Sequence, residues 1–282
     1  MKNSGAVLTQ EDIAVVEELD VLTDYIRGQA SKMGAQEVRF LVDTYYEIQE
    51  RRKSSANQER AIGEAGEPSA LVNYFVGLDG YSEKKIRQML QAYAEGNQAA
   101  SWAMSIRGIG PVISAGLAAH IDITQAPTVG HIWRFAGLDP TLEWSKGQKR
   151  PFNAKLKVLC WKIGESFVKV KNHDEDIYGK LYDMRKRLEE ERNQAGVFAD
   201  QAAAKLEKHK IGKTTEAYKA YSKGKLPPAH IHSRAKRYAV KLFLAHYHHV
   251  AYELQYGEAP PKPYVVEHLG HAHYLAPPNW PM

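Results

Sequence analysis

The sequence has little of what staples a protein covalently or anchors it in lipid. Its 282 residues include a single cysteine, Cys160, which excludes a disulfide framework and a cysteine-based zinc site. No apolar run approaches the roughly 18 residues that span a bilayer, and the opening MKNSGAVLTQ lacks the apolar core of a secretory leader. The expectation is therefore a cytoplasmic protein without a membrane. There is no repeat of fixed period. With 44% hydrophobic and 25% charged residues, the composition excludes disorder and collagen-like structure, and the length predicts about two domains. Alternating strand and helix patterns are missing from residues 1–100, which argues against a nucleotide-binding α/β domain there.

Charge is unevenly spread. The total is +5, but residues 1–100 carry −5, residues 101–200 carry +3 and residues 201–282 carry +7. Between Ser145 and Lys171 eight Lys/Arg face the single acid Glu165, and from Lys205 to Lys241 eleven Lys/Arg face Glu207 and Glu216. Segregation of this kind fits a polyanionic partner, because each neutralised phosphate releases counterions; a solvated lysine-rich surface fits the composition equally well.

Periodicity predicts a mostly α-helical chain. Thr9, Glu11 and Asp12 ahead of Ile13, Val16 and Leu19 read as a capped helix start. Val38, Leu41, Tyr45 and Ile48 predict a long helix over 36–62, one arm of a helical hairpin or short coiled coil able to hold a homodimer. Two further helices, 70–75 and 83–93, are expected on either side of GLDG. Beyond a glycine turn at 108–110, helices are predicted over 111–121, 128–135, 154–170, 176–193 and 232–256, with LEWSKGQKRPFN a polar, basic loop or short hairpin. The Pro/His-rich end of the chain is expected to wrap over the helical body as an extended tail. The predicted domains are an acidic arm region (1–100), a central domain (101–200) and a basic helix with the tail (201–282).

Arg107-Gly108-Ile109-Gly110-Pro111 is the most informative punctuation. Two glycines around an apolar residue allow a tight turn, and a following helix N-terminus offers amide N–H groups to a phosphate. This is the pattern of a helix-hairpin-helix that holds a nucleic-acid backbone; a plain interhelical turn would use the same residues. Nine of the twelve histidines lie from His209 onward, in His230-x-His232, His246-x-His248-His249 and His268-x-x-His271-x-His273. Pairs of imidazoles with a carboxylate can hold zinc, but these point in different directions on a helix or sit in the tail, so packed or hydrogen-bonding histidines are the favoured reading.

From Ile106 to about Arg187 the order SIRGIGPVISAGLAAHI, GHIWRFAGLDP, WSKGQKRP, AKLKVLCWKIGESF resembles the C-terminal domain of the insertion-sequence one-ten / one-sixteen transposases. Their corresponding segments read IPGIGPVTAA, AYAGL-P and an SSGGK-like loop, followed by a basic stretch and an apolar helix. The helix VRFLVDTYYEIQERRKSSANQERAI is similar to the arm that precedes the hairpin in that family. The resemblance implies DNA as partner, in some members with a structured RNA, and a composite active site in which an N-terminal RNase H-like domain supplies acids for divalent metal and a C-terminal serine attacks DNA. Ser145 aligns with the first serine of SSGGK and Lys149 with its lysine, while Lys146 replaces the second serine; if that second serine is the nucleophile, this chain lacks it. No VGIDVSK-like strand occurs in residues 1–100, and Asp20, Asp24, Glu47 and Glu50 sit at helical, solvent-facing spacings. The expectation is a transposase-like DNA-binding protein without an evident cofactor, where a divalent metal enters only if a partner supplies the acidic site. The residues assigned to DNA are Arg107, Gly108, Ile109, Gly110, Lys146, Lys149, Arg150, Lys155 and Lys157, with Ser145 the candidate nucleophile. A non-catalytic scaffold for structured RNA or branched DNA is the alternative.

Overall fold

The computed structural model describes residues 24–67, 69–261 and 275–281. Among them there are eleven α-helices and no strand, so the mostly helical expectation holds. The capped helix start at Thr9 and the histidines His268, His271 and His273 lie outside the described residues. Contacts divide the chain into two compact units, one within Met1–Ser101 and Pro111–His120, the other within Trp102–Gly110 and Ile121–Met282.

The first unit contains α1 (Asp24–Ala30), α2 (Ala35–Glu64), α3 (Ala70–Glu95), the start of α4 (Gln98–Met104) and α5 (Pro111–His120). α2 and α3 form an antiparallel hairpin whose register is set by polar pairs. Arg51 forks onto Asp79, with Nε 2.9 Å from Oδ2, and Arg52 and Gln49 both reach Glu83, at 2.7 and 2.9 Å. α5 is apolar all round and buries Val112, Ile113, Ala115, Gly116, Leu117 and Ala119, the signature of an inserted helix rather than a surface one. Arg39 of α2 closes its C-terminal end by donating to the Ala119 carbonyl at 2.9 Å.

One boundary differs from expectation. GLDG does not break the chain; α3 runs through Gly77 and Gly80 as a single helix. A mid-helix glycine costs about 1 kcal/mol relative to alanine, and here tertiary pairing offsets it. Asp79, between the two glycines, is buried under Arg51, whose hydrogen bonds hold the carboxyl below the usual carboxylate range. A Cβ on Gly80 would stand 3.6 Å from Arg52 Cδ, an ordinary van der Waals contact.

The second unit is organised on its longest helix. It contains the 3₁₀ turn Ile123–Gln125, α6 (Val129–Phe135), α7 (Ala154–Val170), α8 (Tyr178–Gln194), α9 (Ala199–Lys208), α10 (Glu216–Tyr221) and α11 (Pro228–Tyr256), with α6, α7 and α8 packed on α11. Asn153 caps α7 by accepting from the Leu156 amide at 3.0 Å, and Leu156, Leu159, Ile163 and Phe167 face inward as their spacing predicts. The core is aromatic: Phe167 stacks on Tyr178 at 4.8 Å, and Phe243 meets both rings edge-on at 5.5 and 5.3 Å. The last described residues return to this core, where the Pro278 carbonyl accepts from Trp102 Nε1 at 2.8 Å and Glu253 accepts from Trp280 Nε1 at 2.8 Å. The tail therefore wraps over the helices as expected, at least through 275–281.

Two corrections apply to this unit. The charged helix starts at Tyr178 because Asp176 accepts the Gly179 and Lys180 amides, at 3.0 and 2.8 Å, and caps it from outside. The last helix starts at Pro228, four residues earlier than the sequence suggests, with proline at its first position where no amide is needed. Between them α9 and α10 were not anticipated. Their side chains supply little apolar surface, and Phe198, Leu226 and Ile231 form the small core that holds the segment, with Tyr221 against it.

Candidate nucleic-acid interface

Each glycine of the GIG turn does something different. The turn is built by short backbone bonds, Ser105 to Trp102, Ile106 to Ala103 and Ile109 to Ile106, at 2.9 to 3.1 Å. Gly108 has φ +92°, and a Cβ there would meet Val170 Cγ2 at 3.0 Å and Ser166 Oγ at 3.2 Å. The Ser166 hydroxyl donates to the Gly108 carbonyl. Gly108 is thus required by packing against α7. A Cβ on Gly110 would meet no heavy atom within 4 Å, so this position faces open space. Ile109 is buried and Arg107 is exposed. The amides of Gly108 and Gly110 have no acceptor among the described residues. A cleft of about 780 Å³ borders the turn, and it is of mixed sign, with Arg107 and Lys180 beside Asp174 and Glu175.

The basic loop is exposed and pinned at its base. Asn153 donates its amide to the Phe135 carbonyl at 2.8 Å, and Gly137, at φ +65°, leaves room for the Phe152 ring, which a Cβ would meet at 2.9 Å. Ser145 begins a tight turn closed by the Gln148 amide on its carbonyl at 3.1 Å, with Gly147 at φ +94°. Trp144 Nε1 donates to the Gln148 carbonyl at 2.8 Å, and the Arg150 guanidinium lies 5.4 Å from the Trp144 ring centroid. Ser145, Lys146, Lys149, Arg150, Lys155 and Lys157 are all exposed. The Ser145 hydroxyl has no hydrogen-bond partner among the described residues.

The densest positive charge lies where α7 meets α11. Lys157 Nζ sits over the Phe152 ring at 4.1 Å, and its proton is held less tightly than usual by burial, with Arg237 and Arg150 adding like-charge repulsion. Arg237 is likewise lowered by burial and by Arg234. Lys241, one turn further along α11, lies over Trp133 at 4.0 Å, where burial lowers it, Asp139 opposes and Arg237 adds. Neither Arg150, Lys157 nor Arg237 has a carboxylate in ion-pair reach among the described residues. Lys157 thus feels like charge from Arg150 and Arg237, and Lys241 from Arg237 with Asp139 partly offsetting it, a repulsion that a bound polyanion would relieve.

The assigned residues consequently fall into two groups. Arg150 and Lys157 come together; the GIG turn lies against the far end of α7, about 16 Å away at 1.5 Å per residue. Arg237 and Lys241 were not singled out from sequence. The only signal for them was the basic run 205–241, in which Arg234 and Lys236 are already neutralised by Glu189 and Glu165.

Four of the described histidines are used for packing. His246 accepts or donates between Tyr178 Oη at 2.6 Å and the Leu275 carbonyl at 2.9 Å, His248 bonds the Ala126 carbonyl at 2.8 Å, and His230 and His232 bond Tyr221 and Tyr182. No group of three or more His, Cys, Asp or Glu among the described residues is arranged to hold a metal ion.

The comparison that bears on this surface covers its first half. Residues 100–158 match the Transposase IS116/IS110/IS902 family. The transposase-like segment includes the GIG turn, α5, α6, the basic loop and the start of α7, and it stops before α11. No curated protein and no solved structure matches the chain. No described helix is long and apolar enough to cross a membrane.

Proposed function

We propose that this chain is a DNA-binding protein of transposase type, acting in DNA transposition or recombination. The observation that carries the reading is the gathering of Arg150, Lys157 and Arg237, none with a carboxylate in ion-pair reach, with Lys241 one turn further along α11 and only partly offset by Asp139, beside a segment similar to a transposase family. Like charges gathered on one surface are suited to phosphates, which bind them through charge and release counterions. The ammonium groups of Lys157 and Lys241 lie over the Phe152 and Trp133 rings, which fixes them in place and reduces the entropy lost on binding. Arg107 and the amides of Gly108 and Gly110 form a second, helix-hairpin-helix-like contact point on the backbone. Lys146, Lys149 and Lys155 extend the electrostatic footprint around the loop.

Ser145 is the candidate nucleophile for strand transfer. Attack of its hydroxyl on phosphorus would form a serine–phosphate ester and break the bond to one deoxyribose oxygen, which leaves as a hydroxyl after taking up a proton; Lys146, Lys149 and Arg150 are the neighbouring cations that would stabilise the developing charge, and metal-binding acids would come from a partner. The test of the binding reading is charge reversal: Lys157→Glu with Arg237→Glu should lower duplex affinity about 10-fold or more and flatten its salt dependence. Unchanged binding would refute it. Self-association through the α2–α3 arm is proposed alongside, because Leu71, Tyr74, Phe75 and Leu78 of α3 lie exposed at spacings of three and four.

A further inference from the structure

The outer face of α7 carries an indole that the fold does not use. Trp161 is 59% exposed, opposite the buried Leu159, Ile163 and Phe167. Lys157 and Val158 stand one turn before it, Lys162 beside it and Glu165 one turn after. From α11, Lys236 ion-pairs with Glu165 and brings its ammonium 5.8 Å from the Trp161 ring centroid, which steadies the ring. Arg237, the next residue along α11, belongs to the cationic surface around Lys157.

This setting selects the kind of partner. A protein interface buries an apolar centre from which charged residues are depleted. Here the apolar neighbours on the face are the small Val158 and the half-buried Val168, and docking an apolar surface would strand Lys157 away from water beside the Lys236–Glu165 ion pair. A polyanion carrying flat π faces satisfies both features, with phosphates on the lysines and a base on the indole. In an intact duplex each base face is covered by its neighbours, so the ring can take only a base that has left the stack.

We propose that Trp161 is a stacking platform for an unpaired base of DNA held on the Arg150–Lys157–Arg237–Lys241 surface. The chain then prefers a duplex carrying a single-stranded extension over the same duplex with blunt ends. The inference rests on the DNA-binding reading above and adds the class of DNA that it recognises.

The experiment compares wild type, W161F and W161A on three labelled duplexes of one sequence, blunt or with an unpaired DNA or RNA extension on one strand, at one salt concentration. Wild type should bind the DNA-extended duplex roughly tenfold more tightly than the blunt one, the low-to-middle range for stacking one base. W161A should lose that preference while keeping its blunt-duplex affinity, and W161F should retain most of it. Because Trp161 is exposed, W161A should also keep the wild-type circular dichroism spectrum. A preference that survives in W161A, or a wild type that does not distinguish the extended duplexes from the blunt one, overturns the stacking role and leaves DNA binding standing. A preference seen with an RNA extension alone overturns the assignment to DNA. Failure of the wild type to bind any of the duplexes overturns both readings together.

Discussion

Replacing the two glycines of the turn one at a time should separate a packing role from a binding role. In Gly108→Ala the new side chain must sit at φ +92°, a left-handed region that costs an L-residue about 1–2 kcal/mol. Its Cβ also meets Val170 Cγ2 at 3.0 Å and Ser166 Oγ at 3.2 Å, contacts tight enough to push α7 or break the Ser166 bond. Overpacking of that order adds about 1 kcal/mol, so the total is about 2–3 kcal/mol. Gly110→Ala has no steric neighbour within 4 Å and no positive φ, and should change stability by under about 0.5 kcal/mol. The assay suits the molecule because all five tryptophans, Trp102, Trp133, Trp144, Trp161 and Trp280, fall in the second unit, so their fluorescence in urea reports that unit's unfolding. Gly108→Ala should shift the transition to lower urea, whereas Gly110→Ala should leave it in place and weaken DNA binding instead. Equal shifts from the two substitutions would refute the account of the turn.

Two further outcomes follow from the same geometry. His246 is buried between Tyr178 and the Leu275 carbonyl, and burial pulls its pKa down to about 4, so the folded protein binds fewer protons there than the unfolded chain. Its contribution is complete above the unfolded value near 6.5 and is lost as pH falls from there through about 4, on the order of 3 kcal/mol at the limit. His230, His232 and His248 are lowered by burial in the same direction, and urea midpoints measured across this range should fall for wild type and fall less for His246→Gln. For the arm, light scattering should show a dimer that Leu71→Glu with Phe75→Glu converts to monomer without changing helicity; a wild-type monomer would remove the self-association proposal.

How much could be read from the sequence depended on whether a feature was local. α7 was legible because its inward apolar positions repeat at helical spacing and Asn153 supplies an N-cap, and both are properties of one segment. The break expected at GLDG failed because its remedy is remote: Asp79 is reconciled with helix by Arg51, almost thirty residues away in sequence. α9 has Ala199, Ala202, Ala203 and Leu206 at helical spacing, but a stripe made mostly of alanine buries little surface, and α9 and α10 depend on Phe198, Leu226 and Ile231. The basic loop was recognisable from composition, but the cationic surface was not. Lys157 and Arg237 belong to different segments, and nothing in either segment distinguishes Arg237 and Lys241 from Arg234 and Lys236, which internal carboxylates neutralise. Of the histidines conspicuous in the sequence, His230, His232, His246 and His248 bond tyrosines and carbonyls.

The central claim is that Arg150, Lys157, Arg237 and Lys241 form a phosphate-binding surface, and the salt dependence of duplex affinity tests it most directly. Four phosphate contacts predict a slope of log K against log salt of about −3.6, so a fourfold rise in salt should weaken binding on the order of 10²-fold. Lys157→Glu with Arg237→Glu should reduce the slope by about two contacts. A wild-type affinity that is insensitive to salt, or a slope unchanged by the double reversal, would contradict the account.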